Sequence, residues 1–284
     1  MFNLTLENAY GDSITFNNGG AFTISDIQGL NPPDATINTS QIALLDGAKY
    51  NSAKVEMRQI NIAFVIEFNA AYNRIQLYKV LKSKQAVRMY YVGDYRDVFI
   101  DGYVQSINIS YFEMKQIVTV SILCPAPYFS EAQMIIDEMQ NIISTFHFAF
   151  SSTETPQIVF GYFNTDVGLT VENDGDVECG MIIELYARSS ITNPKIFDYE
   201  TGEFFGLNIT MQAADLITID TRRGNKSVTL LRSGSKSNIF NSVMKNSTWL
   251  QLAANGSTFV YEVGSGEESN LIVTFNHYNL YEGV

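Results

Sequence analysis

Hydrophobic and polar residues alternate with a period of two over most of this 284-residue chain, which is the pattern of β-strands with one buried face. Turn-forming sequences such as Asn31-Pro32-Pro33 and Asp46-Gly47 separate the alternating segments. Short antiparallel strands at such spacing are typical of β-sandwiches and barrels, so the chain is predicted to be mainly β. The clearest alternating segments are 2–6, 60–68, 118–124, 181–187, 207–211, 259–263 and 271–275.

One segment of the first half has helical spacing instead. Asn69 is a candidate N-cap, and the residues that follow place an apolar side chain at every third position. The pattern predicts a helix whose apolar stripe consists of Tyr72, Ile75, Tyr78 and Leu81.

A second segment with helical spacing marks a predicted domain boundary. Ser130 and Gln133 form a capping-box pattern, and apolar residues continue at helical spacing from Met134 to Ile143. We therefore predict an N-terminal β-barrel or sandwich-like domain with one helix over 1–130, a linking helix over 131–144, and a C-terminal β-sandwich over 145–284. Charge supports this division, because residues 1–130 carry 11 acidic and 10 basic side chains, whereas residues 131–284 carry 19 and 8.

The overall composition excludes several classes of protein. A net charge of −12 argues against sequence-specific nucleic-acid binding, which depends on clustered Lys and Arg. No apolar run approaches the ~20 residues of a membrane span, so no membrane insertion is expected. The N-terminus lacks the features of a signal peptide, and Cys124 and Cys179 are interpreted as buried thiols of a protein made in a reducing cytoplasm.

Catalytic chemistry has little support in the sequence. His147 and His277 are the only histidines, and a structural or solvated role is favoured for both. The chain shows no phosphate-binding, zinc or nucleophile motif, so no catalytic residue, metal or cofactor is predicted. The acidic segment 172–178 has the carboxylates to bind Ca²⁺, but a hairpin turn with solvated carboxylates is the favoured interpretation. A glycosidase would need two carboxylates at a fixed separation; Glu184, Glu203 and Glu262 are available, but nothing in the sequence places them together.

Several segments, in order along nearly the whole chain, resemble the distal tail (Dit) proteins of siphophages. In the first half these are Ile24–Pro33, Leu45–Ser52 running to Arg58, Arg74–Tyr78, Gly102–Val104 and Cys124–Phe129. In the second half they are Val171–Gly175, Ile219–Gly224, Lys226–Val228 and Trp249–Leu252. The resemblance rests on their serial agreement rather than on one diagnostic motif.

The resemblance implies a structural virion protein of a long non-contractile tail, made in the cytoplasm of the host bacterium. Six copies would form a ring at the tail tip that joins the tail tube protein to the tail hub or fibre protein and, beyond it, a receptor-binding protein, and DNA would pass through the ring. N-terminal domains would surround the channel, and C-terminal galectin-like sandwiches would lie outside.

Two hypotheses about individual residues follow. The segment from Thr36 to Ala53 is a candidate arm, in which Ile42, Leu44 and Leu45 bury against an adjacent subunit; a hairpin folded on its own domain is the alternative. The runner-up function is a carbohydrate-binding adhesion module that engages a host glycan through the C-terminal sandwich and Trp249.

Overall fold

The computed structural model describes residues 2–17, 19–42, 46–113, 115–139, 142–144, 161–163, 168–265 and 268–284. These residues divide into two compact units, one made of Met1–Gln133 with Leu280–Val284 and the other of Met134–Asn279. We call them the first and the second domain. Both are built from β-strands, and the first contains the one α-helix among the described residues, so the predicted fold class is confirmed.

The first domain begins with ten strands and one helix. They are β1 (Asn3–Asn8), β2 (Ser13–Phe16), β3 (Phe22–Gln28), β4 (Ala35–Ser40), β5 (Lys49–Val55), β6 (Arg58–Ile66), α1 (Ala70–Val80), β7 (Ala86–Val92), β8 (Asp97–Ile109), β9 (Gln116–Cys124) and β10 (Phe129–Glu131).

The second domain contributes fifteen strands, after which the chain returns to the first domain. The strands are β11 (Ile135–Met139), β12 (Ile142–Ser144), β13 (Gly161–Phe163), β14 (Leu169–Val171), β15 (Cys179–Ala187), β16 (Ile191–Thr192), β17 (Lys195–Asp198), β18 (Phe204–Gly206), β19 (Thr210–Met211), β20 (Leu216–Asp220), β21 (Ser227–Arg232), β22 (Ser235–Asn238), β23 (Gln251–Leu252), β24 (Ser257–Glu262) and β25 (Leu271–His277). The last strand, β26 (Leu280–Tyr281), pairs with β10. Short 3₁₀ helices cover Phe240–Ser242 and Glu268–Asn270.

The main sheet of the first domain is curled around an aromatic core. Its strand order is β2-β1-β7-β8-β9-β6-β3, with every neighbouring pair antiparallel. Phe16 on β2 and Phe22 on β3 nevertheless lie 6.0 Å apart between ring centroids, and both rings pack against Phe64 on β6. The two outer strands of the order therefore approach each other, as in a barrel or sandwich-like domain.

A buried arginine ties distant segments of this domain together. Arg58, 3% exposed, donates hydrogen bonds to the backbone carbonyls of Gly29 (2.5 Å), Asn31 (2.6 Å), Pro127 (2.6 Å) and Glu282 (2.6 Å). These four acceptors belong to the β3–β4 connection, the β9–β10 connection and the returning C-terminal segment. One guanidinium thus satisfies carbonyls that the backbone ladders leave unpaired.

The second domain is a β-sandwich. One sheet has the order β11-β25-β15-β20-β21-β22, and a second has the order β14-β24-β17-β18. Phe259 on β24 stacks on Phe275 on β25 with 4.7 Å between ring centroids, and both side chains are fully buried. The inward-facing residues of the two sheets therefore share one core.

The predicted linking helix is wrong, because the segment forms strands. Ser130 lies in β10, opposite Leu280 of β26, and Ile135 begins β11. From Ile135 to Met139, β11 pairs with β25, so the backbone groups are satisfied by a sheet ladder rather than within a helix. Met134 and Ile136 are exposed, which is why the apolar positions do not show strand alternation in the sequence.

The helix predicted after Asn69 is confirmed, but its predicted apolar stripe is wrong. The core-facing residues of α1 are Asn73, Leu77 and Val80, and only Leu81 of the predicted stripe is buried with them. Asn69 precedes the helix in the left-handed region (φ 47°) and its side chain makes no capping hydrogen bond. The other three residues of the stripe, Tyr72, Ile75 and Tyr78, face outward.

A charged pair stabilises the second domain in a pH-dependent way. Asp215 is 1% exposed and accepts hydrogen bonds from Arg232, the shortest 2.5 Å, and from the Gln212 amide. The Arg232 hydrogen bonds lower the pKa of Asp215 below its ordinary value of 3.8. The pair therefore contributes its full stability above that value and loses it as the pH falls through the lower folded-state pKa.

We expect Asp215→Asn to lower the free energy of unfolding of the second domain by about 2 kcal/mol at pH 7, the scale of hydrogen bonds to charged groups. The fluorescence of Trp249, the one tryptophan in the sequence, reports the unfolding of this domain in urea. The difference in the free energy of unfolding between the wild-type protein and Asp215→Asn should become smaller in acid. A difference of the same size at pH 7 and in acid would contradict the role assigned to Asp215.

Candidate functional site

The predicted arm is a two-stranded hairpin that stands apart from the sheets. β4 and β5 pair with each other and, within the described ranges, with no other strand. All of their residues are exposed except Val55, which is half-buried. An isolated two-stranded hairpin is marginally stable in water, so the exposed arm is expected to be covered by another molecule.

The register of the hairpin gives the arm two chemically different faces. Ile37 lies opposite Ala53, and Thr39 lies opposite Tyr50 after a bulge that skips Asn51. Residues directly opposite in an antiparallel pair share a face. The arm's apolar face is therefore Ala35, Ile37, Thr39, Tyr50, Ala53 and Val55, and its polar face is Thr36, Asn38, Ser40, Lys49, Ser52 and Lys54.

The two faces differ in how well their side chains are satisfied within the chain. On the polar face, Asn38 donates to Ser52 at 3.1 Å, and Thr36 donates to Glu56 at 2.8 Å. On the apolar face, the two largest side chains, Ile37 and Tyr50, are 63% and 61% exposed. The apolar face is the one that gains from being covered.

The base of the arm is held firmly. The Glu56 amide donates to the Asp34 carbonyl across the base, and Arg58 binds the carbonyls of Gly29 and Asn31 just before it. Gly29 has φ +92°, and an added Cβ there would lie 2.2 Å from the Gln59 carbonyl oxygen. Only glycine fits this position, so the direction in which the arm leaves the domain is fixed by the core.

The residues predicted from sequence for this interface fall between β4 and β5 in the sequence. Ile42 is 48% exposed, whereas Leu44 and Leu45 lie outside the described residues. The sequence reasoning missed Ile37 and Tyr50. Period-two alternation of Ala35, Ile37 and Thr39 is the signal for Ile37. The bulge at Asn51 breaks the alternation between Tyr50 and Ala53, so the sequence pattern does not identify Tyr50.

Trp249, the predicted sugar-binding candidate, is half-buried among other side chains. Its ring lies 5.9 Å from that of Phe240, nearly parallel, and 5.1 Å from that of Phe205. The Lys226 ammonium lies 5.4 Å from its ring centroid. These neighbours cover part of the Trp249 ring.

The structure does not bring the candidate glycosidase carboxylates together. Glu184 lies on β15 and Glu262 on β24, in different sheets, and Glu262 is paired with Lys195 at 3.2 Å. Glu203 follows the other end of β17, where its carbonyl accepts from the Asp198 amide. Among residues 168–265 and the other described ranges, no group of three acidic, His or Cys residues is arranged to hold a metal ion.

The remaining polar candidates have structural surroundings. In segment 172–178 the buried Asn173 holds a turn by donating to the Val177 and Ala253 carbonyls, and Glu178 pairs with Arg223 at 3.3 Å. The four carboxylates of the segment are exposed, as expected for a solvated turn. The segment is not the predicted hairpin, because β14 and β15 on either side of it pair with other strands and lie in different sheets.

The described histidine and the two cysteines are buried. His277 is buried, with its Nδ1 3.8 Å from Asp137 Oδ2, and His147 lies outside the described residues. Cys124 and Cys179 are buried thiols, and burial raises the pKa of each to about 12. In the part of the chain that is described, no helix is long and apolar enough to cross a bilayer.

Comparisons with known proteins agree with this architecture of two β domains. The phage tail protein RIFT-related domain matches residues 10–124, and the C-terminal domain of the siphovirus-type tail component (SPP1 Dit) matches residues 174–277. No curated protein sequence matches the chain.

Solved structures give the same fold. The Dit protein of phage SPP1, described as a paradigm of the hub adsorption apparatus in phages that infect Gram-positive bacteria, has 13% sequence identity, a TM-score of 0.70 and coverage of 98% of both chains. A chain of the phage P2 baseplate in its activated conformation with Ca has 12% identity, a TM-score of 0.59 and full coverage of both chains. The two family models occupy both domains in the order of the family, and the chain belongs to the siphovirus Dit family, the structural components of the phage tail tip and baseplate.

Proposed function

We propose that this protein forms a ring of six copies at the tail tip, joins the tail tube to the tail hub or fibre protein, and lets DNA pass through the ring. The observation that carries the proposal is the arm, a firmly based hairpin whose apolar face is uncovered in the single chain. Membership of a tail-tip family supplies the context.

A closed ring is the assembly that suits such an arm. The arm leaves the domain at one place, and a partner surface elsewhere on an identical copy gives a head-to-tail contact. Head-to-tail contacts repeat until the rotation closes, so every copy gives one arm and receives one. The tip residues Ile42, Leu44 and Leu45 are proposed to bury against the receiving copy along with the arm's apolar face.

The distribution of charge suits DNA passage. Residues 1–130 are nearly neutral, whereas the acidic excess belongs to the second part of the chain. A channel that transmits DNA gains from the absence of clustered cations that would hold the phosphates. We place the first domains around the channel and the sandwiches outside, with the tube protein, hub protein and receptor-binding protein as neighbours.

Concentrated full-length protein is expected to form six-fold rings. Sedimentation at increasing concentration should show a particle of six times the 31.8 kDa chain, and negative-stain images should show six-fold symmetry. Leu44→Asp combined with Leu45→Asp should shift the equilibrium toward monomer, because the contact would then bury carboxylates in apolar surroundings.

The control for this variant is Asp46→Asn, an exposed tip residue next to the same two leucines. This substitution removes a charge rather than adding one, and the variant should still form rings. Failure of the wild-type chain to form rings at any soluble concentration would overturn the proposal, and an undiminished ring in the double variant would remove the tip from the interface.

A further inference from the structure

The outward stripe of α1 continues into a second exposed element and forms one surface. Tyr111 and Phe112 lie in the β8–β9 turn, and both are exposed. We call the combined surface the aromatic patch: Tyr72, Ile75, Tyr78, Tyr111 and Phe112.

Specific contacts hold the two halves of the aromatic patch together. The hydroxyls of Tyr78 and Tyr111 lie 2.8 Å apart in a hydrogen bond. The Arg74 guanidinium lies 5.2 Å from the Tyr111 ring centroid and donates to the Gln116 side chain at 3.3 Å. The β8–β9 turn is thereby fixed against α1, and a fixed surface loses little conformational entropy when it binds.

The side of α1 that faces away from the core carries exposed apolar and aromatic side chains. Leu77 and Val80 bury one side of the helix in the core, while Tyr72 and Ile75 remain 65% and 54% exposed on the other. A surface helix ordinarily carries mainly polar residues on its outer face, whereas here Tyr72 and Ile75 are exposed beside the polar Gln76 and Lys79. The aromatic patch is therefore an interaction surface.

We propose that the aromatic patch of one copy receives the arm's apolar face from the next copy in the ring. This rests on the proposed ring and names the surface that accepts the arm. The two surfaces match in chemistry: Ile37 and Tyr50 would pack on aromatic and aliphatic side chains, as cross-strand and helix-face pairs do elsewhere. They also match in charge, because the arm's lysines, Lys49 and Lys54, lie on its polar face and do not oppose the Arg74 guanidinium.

The topology favours a contact between copies over a contact within one. The arm enters β6 at Arg58, whereas the β8–β9 turn lies at the other end of this strand, where Gln116 pairs with Ile66. Nine residues of strand separate the two ends by roughly 26 Å. Donor and acceptor surfaces at opposite ends of one strand are the arrangement that generates a head-to-tail ring.

Disulfide trapping in the full-length protein tests this pairing. Tyr50→Cys is combined with Phe112→Cys, and Ile37→Cys with Ile75→Cys, at positions that are all exposed. The native thiols of Cys124 and Cys179 are buried with pKa values raised to about 12, so the introduced thiols are the reactive ones. The matched control combines Tyr50→Cys with Tyr95→Cys, which is fully exposed in the β7–β8 turn.

Mild oxidation of rings should give a ladder of disulfide-linked species up to the hexamer for at least one of the two cysteine pairs that join the arm to the aromatic patch. The control pair should give no ladder. Each single-cysteine variant should stay monomeric on a non-reducing gel. Three results would overturn the pairing without affecting the proposed ring. They are six-fold rings that give no ladder with either pair, a disulfide within one chain, and an equally strong ladder from the control pair. Absence of rings would overturn the ring and the pairing together.

Discussion

Replacing Arg58 with methionine is expected to lower the free energy of unfolding of the first domain by about 3–5 kcal/mol, because several hydrogen bonds from one charged, buried side chain are lost together. Methionine keeps much of the side-chain volume but donates no hydrogen bond, so the carbonyls of Gly29, Asn31, Pro127 and Glu282 lose their common donor. A carbonyl that loses its donor without gaining a water molecule carries the cost of its desolvation. Burial lowers the pKa of Arg58 below its ordinary value, and the four acceptors compensate the buried charge.

The effect should be confined to the first domain. Hydrogen exchange should increase in β6, β9 and β26, while the urea transition followed by Trp249 in the second domain should stay within about 0.5 kcal/mol, the ordinary scale of distant substitutions. Arg88→Met is the matched control, because Arg88 pairs with Asp101 on the surface and such pairs contribute about 0.2–1 kcal/mol. Equal losses in Arg58→Met and Arg88→Met would contradict the role assigned to Arg58.

The second large effect is expected in assembly rather than in folding. Ile37→Asp combined with Tyr50→Asp should abolish the ring at concentrations where the wild-type chain is fully assembled. Each buried apolar side chain contributes about 1.5–3 kcal/mol, and a loss of about 3 kcal/mol weakens one contact roughly 100-fold. Both side chains are exposed in the single chain, so the melting temperature of the monomer should not change.

The control for this pair places the same two charges on the opposite side of the same hairpin. Asn38→Asp with Ser40→Asp puts two carboxylates on the polar face of β4. Sedimentation at matched concentrations should show rings for this control and monomers for the apolar-face variant. Rings in both variants would show that neither face of the arm joins the subunits.

The sequence predicted the architecture well because the period-two signal is local and repeated. Segments such as 60–68 and 118–124 correspond to β6 and β9, with alternating buried residues at Ile60, Ile62 and Phe64. The helix after Asn69 was also predictable, since eleven residues without Gly or Pro follow it.

The predictions were wrong where tertiary contacts determine the secondary structure or the buried face of an element. The spacing from Met134 to Met139 fits a helix, but pairing with β25 makes the segment an edge strand. In α1, threefold spacing of Tyr72, Ile75 and Tyr78 indicated a core stripe, and the core instead takes Leu77 and Val80. A pattern identifies an apolar face but does not say whether the same chain or another one covers it.

The same limit applies to the interface. Ile42, Leu44 and Leu45 were predicted as interface residues because the hydrophobicity of single residues can be recognised in the sequence. The arm's apolar face became visible only through the register of β4 and β5, including the bulge at Asn51. Register depends on how the two strands pair, and the sequence specifies it weakly in a polar hairpin rich in Asn, Ser and Thr.

The most direct test is an electron-microscopy map of the assembled ring at side-chain resolution. We predict a ring of six copies in which the β4–β5 arm of each copy crosses to the next copy. Ile37 and Tyr50 of the arm should be buried against that next copy. A ring in which the arms point into solvent, or in which each arm folds against its own domain, would contradict it.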